Sequence, residues 1–165
     1  MLYLVPSLLS GYLTKICDDY SEQKNKEIIF SFLFSLLYAF AIILCGLIQP
    51  VLIPLIAGVV VGNIFANKID TREHVLAVIL IIGFYIFTFQ IETIWIFFIF
   101  VFASFLDETL HEIGGKFKKE YLESRFITPF IAFVISYILW DFSFVLFMVL
   151  FDIGYRIAER KMFIK

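Results

Sequence analysis

The chain has 165 residues, of which 62% are hydrophobic, 22 are Phe and only 17% are charged. Ordinary soluble domains are about 45–50% apolar and about 25% charged, and a domain this short exposes too much of its surface to hide such an excess. A mean hydropathy of +0.97 points to lipid as the solvent, whereas the formal net charge of −2 excludes little as a total and matters only through where the charges sit.

Four apolar stretches follow one another, at about Leu2 to Ile16, Ile28 to Ala66, Val75 to Leu106 and Ile127 to Ile157. The first has no basic region ahead of it, and Lys15 comes after it. A secretory signal has the reverse order, so the stretch predicts a first membrane helix that is retained. The second is about twice the length of a span of roughly 20 residues. Its break is expected at Gln49-Pro50, because proline lacks a donor and ends the preceding helix. The third and fourth are long for one span and short for two. Each carries a polar interruption, Gln90 with Glu92 in one and Asp141 after Trp140 in the other.

The basic residues arbitrate, since Lys and Arg are retained on the cytoplasmic side in short loops. With spans at about 2–16, 28–48, 51–66, 75–90, 92–106, 127–139 and 142–157, all 13 Lys and Arg fall on one side. If the third stretch crossed once, Lys116 to Arg125 would move to the other side and the asymmetry would collapse. The expected fold is therefore all-α, a single integral membrane domain over 1–165. It is a polytopic bundle of about seven transmembrane helices in the cell membrane, N-terminus out and C-terminus in, with the charged face cytoplasmic. Several spans are short, which local bilayer thinning or burial among neighbours must accommodate. Gly114-Gly115 is expected to end a helix. Lys116 to Phe126 then forms either an amphipathic helix on the interface or a plain charged loop.

Polar residues recur at helical spacing in the odd-numbered spans. The sets are Ser7, Gly11, Thr14 and Asp18; Asn63, Asn67, Asp70 and His74; Ser104, Glu108 and His111; and Asp152, Arg156 and Glu159. Spacings of three and four place each set on one helix face. Unpaired polar groups are costly in hydrocarbon, so these faces are expected to turn to the bundle interior or a water-filled cavity. If they converge, their acidic ends line a cleft open to the cytoplasm. The plainer alternative is that helix ends are polar in any membrane protein, with acids pairing to nearby bases. Asp152 has such a partner in Arg156, and Asn63 can merely bridge helices. Gly58, Gly62 and Ala66 form a small-residue ridge suited to close packing, and Cys17 and Cys45 fit neither a disulfide framework nor a CxxC metal site.

The chemistry expected of such a cleft is that of a membrane-embedded, Mg²⁺-dependent transferase or hydrolase acting on a lipid or isoprenoid phosphate or diphosphate. Carboxylates at the water–lipid boundary suit Mg²⁺, which takes one or two per ion together with phosphate oxygens. Asp18, Asp19, Asp70, Asp107 and Glu108 are the candidate metal ligands. Lys15, Asn63, Asn67, Lys68, Arg72, Asp152 and Arg156 are the candidate substrate-binding residues. His74 or His111 is the candidate catalytic proton carrier, imidazole being the side chain that titrates near neutral pH. Two alternatives stand beside this one. Acids inside spans also mark a cation or metal transporter or channel, and abundant Phe also suits a non-catalytic subunit or assembly factor of a membrane complex. Membrane lipids are expected partners in every case, and homo-oligomer or complex formation is compatible with each. Nucleic acid is not expected, because acids and bases are nearly balanced.

Overall fold

The computed structural model describes residues 2–22, 28–88, 91–117 and 125–162, and every regular element among them is a helix. Seven α-helices run in chain order: α1 Leu4–Glu22, α2 Ile28–Ile48, α3 Ile53–Phe65, α4 Arg72–Thr88, α5 Ile94–Phe117, α6 Ile127–Leu139 and α7 Ser143–Met162. Single 3-10 turns at Pro50–Leu52 and Ile91–Thr93 precede α3 and α5. The third and fourth apolar stretches thus each form two helices. Gly114-Gly115 does not end a helix, since α5 continues through it to Phe117; two glycines weaken a helix without forbidding it. The possible interfacial helix falls largely on 118–124, outside the described residues.

Local chemistry sets the breaks. Proline occupies the opening positions of the Pro50–Leu52 turn and of α3, where a missing N–H costs no hydrogen bond. Asn67 closes α3 in the left-handed conformation at φ 55°, and the Lys68 N–H donates back to the Asn63 carbonyl at 3.0 Å. Trp140 takes the same conformation at φ 53° after α6. Asp141 Oδ1 then accepts from the Ser143 N–H at 2.9 Å to open α7.

Neighbouring helices form a closed ring: α1 packs on α2, α2 on α4, α4 on α3, α3 on α5, α5 on α6, α6 on α7, and α7 back on α1. Two seams are tight because glycine removes the side chain. At Gly11 and Gly154 an added Cβ would strike the main-chain oxygens of Phe151 and Leu8, so α1 and α7 meet backbone to backbone. At Gly58 and Gly62 it would lie 2.7 and 2.6 Å from the carbonyl oxygens of Phe97 and Val101, which makes this ridge the α3–α5 packing surface. Inside the ring, Leu52, Leu55, Phe100 and Phe144 are fully buried, the last two with ring centroids 6.2 Å apart.

Around this apolar core the described surface is itself largely apolar. More than thirty large apolar side chains among the described residues are exposed, including Phe40, Phe87, Phe98, Phe102 and Phe133. Meanwhile Ser7, Ser10, Ser31, Ser35 and Ser136 are fully buried. By length and composition alone, two helices are able to cross a membrane, Ile29–Ile48 and Ile94–Gly114. Pro50–Phe65 and Ile127–Leu139 are apolar but shorter.

Candidate functional site

Helix α1 continues beyond its apolar part to Glu22, so Asp18 and Asp19 are helical residues held at fixed positions. Asp18 faces α4 and α7. Its Oδ1 lies 2.9 Å from His74 Nε2, and its Oδ2 accepts from the Tyr155 hydroxyl at 3.0 Å. His74 Nδ1 lies 2.9 Å from the Tyr38 hydroxyl on α2. Four helices therefore contribute one side chain each to the chain Tyr38–His74–Asp18–Tyr155. With neutral imidazole the pairing fixes the tautomer: Nε2–H donates to the carboxylate, and Nδ1 accepts from Tyr38. His74 sits in the first turn of α4, where its main-chain N–H points at Thr71 Oγ1 at 3.5 Å.

Beside this chain lies a buried acid that the sequence analysis did not single out. Glu73 is 5% exposed. Its Oε1 accepts from Ser31 Oγ at 3.1 Å, and its main-chain carbonyl accepts from Ser35 Oγ. On the outer side, Lys15 pairs with Asp19 at 2.9 Å and sits 5.4 Å above the Tyr155 ring. Asp19 Oδ2 is buried without a hydrogen-bond partner among the described residues. Acidic and basic side chains thus meet at one end of the α1–α2–α4–α7 wall.

The remaining acids serve other contacts. Asp107 on α5 is buried, and its two oxygens accept from the Ile127 and Thr128 N–H groups at 2.7 and 2.6 Å. It caps α6 from a neighbouring helix. Glu108 is held by Arg125, Nε to Oε1 at 3.0 Å and Nη2 to Oε2 at 3.2 Å, the two-pronged geometry that suits guanidinium and carboxylate. Lys68 pairs with Glu112 at 2.9 Å, and Asn63 accepts from Ser104 Oγ at 2.8 Å across the α3–α5 seam. Asn67, Asp70 and Arg72 are exposed between α3 and α4, and His111 is partly buried on α5.

Of the sequence-nominated residues, then, the fold joins Asp18 with His74 and Lys15 with Asp19. It does not gather Asp18, Asp70 and Glu108 into one ligand set. Among the described residues no group of three or more His, Cys, Asp or Glu side chains is arranged to hold a metal ion. Asp152 and Arg156 pair with each other at 2.8 Å on the outward face of α7, away from the expected cleft. Tyr38, Tyr155, Glu73 and Arg125 are the residues that sequence spacing missed. Tyrosine passes for an apolar residue in a Phe-rich helix, and Arg125 lies in a loop where periodicity says nothing. Glu73 had one signal, its place beside His74 in a first helical turn. No known protein family, curated protein or solved structure matches this chain.

Proposed function

We propose that this chain is an integral membrane protein crossing seven times, charged end cytoplasmic, in which Asp18 and His74 form the acid–base centre of an enzyme acting on a lipid or isoprenoid phosphate. The membrane placement is supported by the many exposed large apolar side chains and by two helices long and apolar enough to cross. The observation that carries the catalytic reading is the Tyr38–His74–Asp18–Tyr155 chain. The carboxylate sets the imidazole's tautomer and orientation, and proton exchange with a substrate takes place at Nδ1, from which the Tyr38 hydroxyl must move aside. The substrate class follows from location. A polar centre at the end of an apolar bundle is reached by a molecule with an ionic head and a hydrocarbon tail, and Lys15 supplies cationic charge beside it. Among the described residues no set of metal ligands is assembled, and the reading routes no step through a metal.

The test is turnover by the purified protein in lipid nanodiscs, supplied with polyprenyl phosphates and phospholipids and followed by mass spectrometry. Asp18→Asn and His74→Gln are each expected to lower the rate by about 100-fold or more, within the range of general acid–base contributions. Unchanged rates in both would sink the assignment.

A second reading, proton movement through the bundle, is favoured by one observation. Buried Ser7 and Ser10 and part-buried Thr14 continue from Asp18 along α1. Beyond them Ser7 meets Cys45 at 3.4 Å, and Gln49 donates to Ser143 at 2.9 Å beside Asp141 at the opposite end. The hydroxyls of Ser10 and Thr14 donate to carbonyls of α1, and that of Ser7 to the Tyr3 carbonyl just before it, which accounts for them without a conduit. Dissipation of a pH gradient in proteoliposomes, abolished by His74→Gln, would place this reading first.

A further inference from the structure

Asp152 and Arg156 are left out of the centre just described. They are 57% and 69% exposed, on a face of α7 that otherwise presents Leu146, Val149 and Ile153 and that Phe142 extends just before the helix. The α1–α7 seam gives their depth. Gly11 lies against Phe151 and Lys15 over Tyr155, so Asp152 is level with Tyr12. That is six residues inward of Asp18, about 9 Å along the helix axis toward the apolar interior. Arg156 can extend its stem toward the charged end, but a short carboxylate at the depth of Asp152 has no route to water. An acid there is expected to face protein.

We propose that this face of α7 is the contact between two copies of the chain, a proposal that rests on the membrane reading above. The face is self-complementary, with an acid and a base one turn apart. A two-fold axis along the membrane normal sets like residues opposite each other, and the long arginine stem spans the one turn, about 6 Å, between its own level and the Asp152 of the second copy. Arginine has donors for both, using Nε on its own Asp152 at 2.8 Å. Phe142, Leu146, Val149 and Ile153 recur at spacings of four, three and four, the seam of two helices crossing at a small angle. A partner of other sequence would have to supply a matching pair, whereas this face carries its own complement.

The experiment is oxidative cross-linking in native membranes of Val149→Cys, with Leu33→Cys on the exposed side of α2 as control, alongside native mass spectrometry of the wild type in lipid nanodiscs. Val149→Cys is expected to give a disulfide-linked dimer that Leu33→Cys does not, and the wild type to carry two copies per particle. Asp152→Asn is expected to weaken the dimer about tenfold. The exchange of Asp152→Arg with Arg156→Asp keeps both charges on the face and is expected to restore it. One copy per particle, cross-linking no better than the control, or a cross-link to a different protein overturns the dimer. If fractionation leaves the chain in the membrane in those cases, the membrane reading stands; recovery of the chain in the soluble fraction removes both.

Discussion

At the scale of residues, the arrangement separates acids that hold helices together from Asp18, the acid that the proposed reaction uses. Asp107 spends both oxygens on the first N–H groups of α6. Asp107→Ala leaves the buried Thr128 N–H and the part-buried Ile127 N–H without an acceptor and is expected to cost about 1–3 kcal/mol, read from unfolding of the detergent-solubilised protein. Asp107→Asn keeps one acceptor and is expected to cost less. Asp18 instead meets an imidazole and a phenol. Tyr38→Phe removes the group that orients His74 through Nδ1 and leaves the imidazole itself in place. It is expected to lower turnover about tenfold, the equivalent of one hydrogen bond to a group that becomes charged. The same variant is expected to unfold close to wild type. A loss as large as that of His74→Gln would instead make Tyr38 a participant in the reaction.

At the scale of elements, the decisive contacts are those that glycine permits. Gly11 and Gly154 bring α1 and α7 together, and this seam also holds the Tyr155 hydroxyl on Asp18. Gly11→Leu or Gly154→Leu drives a side chain into facing backbone. Each is expected to destabilise by about 1–3 kcal/mol and to lower activity as well, because the four-helix chain spans that seam. Gly83 is the internal control: nothing lies near the position of its Cβ. Gly83→Ala is expected to be neutral or to stabilise by about 0.5 kcal/mol, alanine being the better helix former. Thermal unfolding of the three variants side by side measures the contrast.

For the molecule as a whole, the ring of seven helices makes a prediction about sides. Trp140 is exposed in the turn between α6 and α7, and Arg160 is exposed near the other end of α7. If the charged end is cytoplasmic, as proposed, Trp140→Cys is expected to react with a membrane-impermeant maleimide on intact cells, and Arg160→Cys only after lysis. The opposite pattern would invert the topology, and labelling of both on intact cells would show that α7 does not cross.

Much of this architecture was legible from the amino-acid order. Gln49-Pro50 and Trp140-Asp141 mark breaks because proline and polar turn residues act locally, and those breaks are where the helices end. The Gly58–Gly62 ridge likewise declared its packing role, whereas Asn63, nominated for substrate, bridges α3 to Ser104 on α5. What the order of residues could not decide is which polar faces meet. Helical spacing puts Asp18 on a face of α1, yet the azimuth of each neighbouring helix determines whether that face finds His74, Glu108 or Asp152. Backbone contacts at glycine seams and the swapped order of α3 and α4 around the ring set those azimuths. They joined Asp18 with His74, assigned Glu108 to Arg125, and turned Asp152 outward. Sequence determined where polarity lies along each helix, because that depends on a residue and its near neighbours. Tertiary structure decided which charges became partners, because that depends on packing between residues as far apart as Asp18 and Tyr155.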